Sequence, residues 1–159
     1  MYLARKPQVQ GIEQVSGWSA NAWVSLEGAG GTIIDSGTTL SYFAEPAYEI
    51  IKEAFVKKAK GYPLLEDFHI LSPCYNVSGV EKRELLEFEI HFADGAVWNF
   101  PVENYFIPLE PEGIVCLAIM KTSHSILSMI GNYQQQNFNI WHDIKKSRLG
   151  YAPMKCGDD

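Results

Sequence analysis

The chain has 159 residues, 47% hydrophobic and 13% aromatic, which suits one domain with a buried core. Thirteen Lys+Arg against nineteen Asp+Glu give a formal net charge of −6, which argues against nucleic acid and anionic membranes as partners. No apolar run of about eighteen residues occurs, so no transmembrane helix is expected. The start, Met1-Tyr2-Leu3-Ala4-Arg5-Lys6-Pro7-Gln8, lacks the apolar segment of a signal peptide.

Residues 1–23 read as a polar, irregular segment. Val9, Ile12 and Val15 are spaced three apart without completing a helical face. The pattern improves from Val24, and Gly28-Ala29-Gly30-Gly31 leads into an apolar strand, Gly30-Gly31-Thr32-Ile33-Ile34. A helix is predicted over 46–60. Pro46 suits its first turn, and Ala47, Ile50, Ile51, Ala54, Phe55 and Ala59 form one apolar face. Glu45 and Glu49 lie near its positive end, Lys57, Lys58 and Lys60 near its negative end, and Gly61 is expected to stop it.

Beyond Gly61 the chain reads as β. Glu87-Phe88-Glu89-Ile90-His91-Phe92 alternates with period two, Asp94-Gly95 marks a hairpin turn, and Ala96-Val97-Trp98-Asn99-Phe100 returns to Pro101. Gly113-Ile114-Val115-Cys116-Leu117-Ala118-Ile119 reads as one buried strand. Residues 138–142 and 148–152 form a last pair, after a short helical segment near 132–137. Many short strands with one main helix predict a mostly-β domain of curved, packed antiparallel sheets.

Chemistry centres on Asp35-Ser36-Gly37-Thr38-Thr39. A buried strand ending on Asp-Ser-Gly puts one carboxylate at the tip of a tight turn. Ser36 and Thr38 supply hydroxyls that can orient it, and a positioned carboxylate is what water activation needs. Alone, the pentapeptide is better read as a surface turn. A second apolar run that ends on glycine, Met129-Ile130-Gly131, followed by Asn132-Tyr133-Gln134-Gln135-Gln136-Asn137-Phe138, changes that balance.

Other sites are weaker. Gly28-Ala29-Gly30-Gly31 precedes a strand and lacks the lysine of a phosphate loop. His69, His91, His124 and His142 have no metal-site spacing, and Gly-x-Ser-x-Gly is missing. Neither cofactor nor metal is expected. Of the three cysteines, Cys74, Cys116 and Cys156, none stands in a Cys-x-x-Cys pair, and an odd count leaves one thiol without an internal partner in an oxidising setting. Asn76-Val77-Ser78 is a glycosylation sequon, which makes Asn76 a candidate for modification.

Asp-Ser-Gly-Thr-Thr followed by Ile130-Gly131 about 95 residues later resembles one lobe of a pepsin-like aspartic protease. More closely, the chain resembles the C-terminal lobe of the plant nepenthesin-type group. The residues that carry this are 30–40, Glu45-Pro46-Ala47-Tyr48, Val115-Cys116-Leu117-Ala118, 130–138 and Leu149-Gly150-Tyr151-Ala152-Pro153. The resemblance covers about 28–156. It implies a lobe over 24–156, an atypical segment over 1–23 and a tail over 157–159, because the two paired strands that open such a lobe are not legible in 1–23.

The resemblance also implies residue roles. Asp35 would be one catalytic acid, with Ser36, Gly37 and Thr38 supporting its turn and Thr38 donating to its carboxylate. Ile130 and Gly131 would form the crossing segment beneath it. Cys74 and Cys116 would bridge, and Cys156 matches a cysteine that pairs with an N-terminal lobe. The family is secretory. No second Asp-Thr/Ser-Gly frame occurs, so the chain carries half an active site. The reading is an aspartic endopeptidase acting on peptide or protein substrates, with the N-terminal lobe missing, as in a fragment, truncated gene product or degraded copy. An isolated lobe would be inactive, with Asp35 titrating as an ordinary carboxylate. The alternatives are a homodimer that faces two Asp35 together and a non-catalytic binding module like the xylanase inhibitors that share this lobe.

Overall fold

The computed structural model describes residues 2–5, 31–59, 61–65, 70–80, 87–92, 95–110, 113–122, 127–146 and 148–155. In chain order, β1 spans Tyr2–Arg5, β2 Gly31–Ile34 and β3 Ser41–Phe43, and α1 follows over Glu45–Lys58. Next come β4 (Leu64–Leu65), β5 (Cys74–Asn76), β6 (Phe88–His91), β7 (Val97–Phe100), a 3₁₀ turn (Val102–Asn104) and β8 (Phe106–Leu109). The last elements are β9 (Ile114–Leu117), β10 (Ile119–Lys121), β11 (Leu127–Ile130), α2 (Asn132–Gln135), β12 (Phe138–Asp143) and β13 (Arg148–Pro153). Among the described residues no helix is long and apolar enough to cross a membrane.

The helix forms where its apolar stripe predicts. Ala47, Ile51, Ala54 and Phe55 are buried, and the last residue of the stripe, Ala59, is the C-cap. No side chain caps its start; the Ala44 carbonyl accepts from the N–H groups of Ala47 and Tyr48 instead. Its end differs from the expectation at Gly61. The helix stops at Lys58, and the Ala59 N–H closes the last turn on the Phe55 carbonyl without a left-handed glycine. Lys60 lies outside the described residues.

Three sheets are antiparallel throughout: β1-β13-β12, β4-β5-β9-β8 and the hairpin β6-β7. The fourth, β10-β3-β11-β2, is mixed. Within it β10 runs parallel to β3 and β11 runs parallel to β2. The β6-β7 hairpin closes through hydrogen bonds from the Phe92 N–H to the Ala96 carbonyl (2.8 Å) and from the Gly95 N–H to the Phe92 carbonyl (2.9 Å). Gly95 holds φ at +85°, where a side chain would be strained. Asp94 lies outside the described residues.

Two expectations are corrected. Residues 2–5, read as part of an irregular segment, form β1, which pairs along β13 from Tyr2 opposite Tyr151 to Arg5 opposite Arg148. The run 113–119, read as one strand, is two. It breaks at Ala118, whose N–H donates to the Tyr105 carbonyl (2.8 Å), and the chain passes from one sheet into another. Every residue from Ile114 to Ile119 is buried, so an unbroken apolar run hides the corner.

The main core joins side chains of α1, β3, β6, β7, β8, β9 and β13. Trp98 has no exposed surface and stacks on Tyr151, with ring centroids 4.6 Å apart and planes 10° apart. Phe55 brings α1 into the same core and meets the rings of Phe88, Tyr105 and Phe106 at 5.5–6.2 Å. A smaller cluster surrounds the Cys74–Cys116 disulfide, which joins β5 to β9 at directly paired positions. Closing a 42-residue loop contributes about 4 kcal/mol in the chain-entropy account.

Phe55→Ala should therefore destabilise the domain by about 3–5 kcal/mol, because three aromatic rings lose their common contact. Lys58→Ala, on the exposed side of α1, should move stability by less than about 0.5 kcal/mol. Denaturant unfolding of the two variants side by side tests this; equal shifts in midpoint would mean that the face is not packed.

Candidate active site

The site is built where β2 and β11 end side by side. Their parallel register sets Ile34 opposite Ile130, and the Asp35 N–H donates to the Ile130 carbonyl at 3.0 Å. Asp35 is the first residue beyond β2, partly exposed at the tip of its turn. Its own backbone carbonyl accepts from the Thr38 N–H at 3.3 Å, which closes the turn.

Both oxygens of the Asp35 carboxylate are held. Thr38 Oγ1 donates to Oδ2 at 2.6 Å and the Gly37 N–H donates to Oδ1 at 2.9 Å. Donors to the charged form favour it. The Thr38 hydroxyl first, and the Gly37 amide second, hold the Asp35 carboxyl below its ordinary value of 3.8, against a smaller opposing effect of desolvation. Asp35 therefore does not titrate as an ordinary carboxylate, as an isolated lobe had been expected to show. Among the described residues no charged neighbour contributes to the shift.

Gly131 brings the second chain beneath this turn. A Cβ built there would meet the Leu40 carbonyl oxygen at 2.2 Å, its carbon at 2.5 Å and the Thr38 carbonyl oxygen at 2.9 Å. The backbone at Gly131, with φ −81° and ψ 176°, suits any residue, so space and not conformation demands glycine. The residues after it grip the turn. The N–H groups of Asn132 and Tyr133 donate to the carbonyls of Thr38 (2.6 Å) and Thr39 (2.9 Å), and Asn132 Nδ2 donates to the exposed Ser36 carbonyl (3.3 Å).

Sequence reasoning missed the support under these residues. Ser41 Oγ accepts from the Gly131 N–H at 2.9 Å and itself donates to Gln134 Oε1. Gln134 Nε2 donates to the carbonyls of Asn104 (2.9 Å) and Ala118 (3.1 Å). Asn104 Nδ2 returns bonds to the carbonyls of Gln134 (3.0 Å) and Gln136 (2.6 Å). Ser41, Gln134 and Asn104 are all buried, Gln134 at 1% exposure. The available signal was position: Ser41 follows the Asp35 turn directly, and Gln134 sits in the polar run that follows Gly131.

The other described candidates lie on strands of other sheets than β2 and β11. Cys74 and Cys116 bridge β5 and β9, and Asn76 is exposed at the end of β5. Cys156, His69 and His124 lie outside the described residues, as do Gly28, Ala29 and Gly30. His91 Nε2 lies 2.6 Å from Glu89 Oε1 on its own strand. Among the described residues no three His, Cys, Asp or Glu side chains cluster as metal ligands would. The chemistry on hand is thus one carboxylate, partly exposed at a turn, with both oxygens engaged and its charged form favoured by the Thr38 hydroxyl and the Gly37 amide.

Residues 13–153 match the family described as "Xylanase inhibitor C-terminal". The chain is 38% identical over 129 residues to Aspartyl protease family protein 2 of Arabidopsis thaliana, covering 81% of this chain and 26% of that protein. It is 36% identical over 140 residues to aspartic proteinase nepenthesin-1 of Nepenthes gracilis, covering 87% and 31%. The chain thus spans about a quarter to a third of the length of these curated relatives. The crystal structure of edgp superposes with a TM-score of 0.77 at 18% identity, covering 94% of this chain and 39% of that one. Basic 7S globulin from soybean does so at 0.67 and 20%, covering 80% and 37%. At such identities these likenesses show the fold.

Two outcomes are expected at this site. Thr38→Val should raise the Asp35 pKa toward 3.8, since the hydroxyl is the larger cause of its depression; a carboxyl ¹³C titration reads this directly. The stabilisation these bonds give is present above the ordinary carboxylate range and is lost as pH falls through the depressed value, so the variants should converge in strong acid. Gly131→Ala should cost roughly 1–3 kcal/mol or more by overpacking. Gly61→Ala meets nothing within 4 Å and should be neutral or stabilising by about 0.4–1 kcal/mol. Thermal melts that shift in the same direction for both glycines would refute the close approach.

Proposed function

The chain belongs to the xylanase-inhibitor C-terminal family as a C-terminal lobe of the plant pepsin-like aspartic proteases, and from that membership we propose that it supplies one half of a peptide-bond hydrolase, with Asp35 as one of the two catalytic aspartates. The observation that carries this reading is the doubly bonded carboxylate above Gly131. Peptide hydrolysis of this type uses two carboxylates about 3 Å apart that share one proton, a pairing for which aspartic proteases are the standard example. The ionised member draws a proton from water, and the protonated one polarises the scissile carbonyl. Asp35, biased toward ionisation by Thr38 and Gly37, suits the first role.

The sequence holds a single Asp-Ser-Gly-Thr frame, so the second acid and the segment that closes over the peptide belong to an N-terminal lobe. Substrates are peptides or proteins, and the side-chain preference depends largely on that other lobe. A second reading, a non-catalytic binding module, draws on the name of the matched family. The intact Asp35-Ser36-Gly37-Thr38 turn, with both carboxylate oxygens engaged, favours catalysis.

The isolated chain should cleave peptides negligibly between about pH 3 and 6, because Asp35 alone cannot act as base and acid together. Joined with an N-terminal lobe that carries its own Asp-Thr-Gly frame, it should gain activity. Asp35→Asn in that pair should lower turnover by about 10²–10⁴-fold or more. Silence from a folded pair would sink the protease reading in favour of binding. Asp35-dependent activity in the lone chain that grows with the square of its concentration would instead favour a homodimer.

A further inference from the structure

We propose that Asn76 is an acceptor for an N-linked oligosaccharide, and that the sugar must be added before the Cys74–Cys116 bond closes. The sequon Asn76-Val77-Ser78 lies at the end of β5. Asn76 is exposed, and the Ser78 N–H donates to Asn76 Oδ1 at 2.9 Å. That turn engages the amide oxygen and leaves Nδ2, the atom that would be glycosylated, without a partner among the described residues.

Two further observations point the same way. The disulfide two residues upstream is a bond of oxidising compartments, where sequons meet the glycosylation machinery. Exposed apolar side chains also flank the triplet. Leu64 (40% exposed) is next to Pro63, whose carbonyl accepts the Asn76 N–H, and Val80 (37%) follows in a turn closed on Val77. A glycan on Asn76 would stand over this apolar edge and keep other chains from it.

The order of events follows from how the triplet is docked. Val77 is 2% exposed, and its N–H donates to the Gly113 carbonyl at 2.7 Å. Ser78 Oγ sits so close over Gly113 that a Cβ built there would meet it at 2.1 Å. A transferase must grasp the backbone and the hydroxyl of this triplet, so both have to be free of Gly113. Cys116 lies three residues beyond Gly113, and the bridge fastens that segment to β5. Asn76 is also synthesised 40 residues ahead of Cys116, counting 116 − 76, so the open interval exists in every newly made chain.

The transfer balances without oxidation or reduction. Asn76 Nδ2 forms a bond to the anomeric carbon of a lipid-diphosphate-linked oligosaccharide. The carbon–oxygen bond to the diphosphate breaks, the lipid diphosphate leaves with the electron pair, and Nδ2 gives one proton to a basic group of the transferase.

The full chain is made without glycan and offered to a purified oligosaccharyltransferase with its lipid-linked donor, either with the bridge closed or after reduction by dithiothreitol. The reduced chain should be modified at least about tenfold faster, and Asn76→Gln or Ser78→Ala should abolish the product. The variant Cys116→Ala, which cannot close the bridge, should match the reduced chain without any reductant. Equal rates for bridged and reduced chains overturn the order of events. A chain unmodified in every state, or modified equally after Asn76→Gln, overturns the site.

Discussion

The close approach of Gly131 to the Thr38–Leu40 backbone is the constraint on which the site depends. It permits two parallel strands, 95 residues apart in sequence at Asp35 and Ile130, to end together. Only at that distance can the N–H groups of Asn132 and Tyr133 reach the carbonyls of Thr38 and Thr39. Those bonds shape the turn that aims Thr38 Oγ1 and the Gly37 amide at the carboxylate. A methyl group at Gly131 would separate the strands, and the loss would pass through the turn to the charge state of Asp35.

A buried polar chain extends this constraint into the fold. Ser41, Gln134 and Asn104 are removed from water, which is costly unless their bonds are made. Most of those bonds go to backbone groups that no strand ladder satisfies: the Gly131 amide and the carbonyls of Asn104, Ala118, Gln134 and Gln136. The network therefore serves the irregular places in the lobe. One is the corner at Ala118, where the chain changes sheets; another is the short α2, whose four residues could not hold their shape alone. The core aromatics give this region its bulk stability, while the polar chain fixes its geometry.

What was legible in the sequence is what local pattern controls. The α1 stripe, the 88–100 hairpin and the strand before Asp35 each carry their own periodicity or turn residues, and each is present. The paired motifs at Asp35 and Gly131 were legible because each couples a strand end to a glycine. The rest depended on partners far away in the chain. Tyr2-Leu3-Ala4-Arg5 shows no alternation that marks a strand, and its partner β13 begins more than a hundred residues later. The break at Ala118 was hidden because strands buried in two different sheets are equally apolar. Ser41, Gln134 and Asn104 were missed because a polar side chain in a sequence reads as surface until its neighbours are known.

The separation of the two crossing segments also governs when the site can exist. The contacts that brace its turn from below join residues 35–41 to residues 130–134, so the loop between them must close for these to form. Contacts of such long range slow folding, because the entropy of closure is lost before the contacts compensate for it. On a ribosome that adds about 5–20 residues per second, the Asp35 turn waits roughly 5–20 s for Gly131 to be made. Through that interval the carboxylate lacks the crossing segment that fixes its turn. A growing chain therefore carries this carboxylate in an unassembled turn, and the candidate site appears only when nearly the whole lobe has been synthesised.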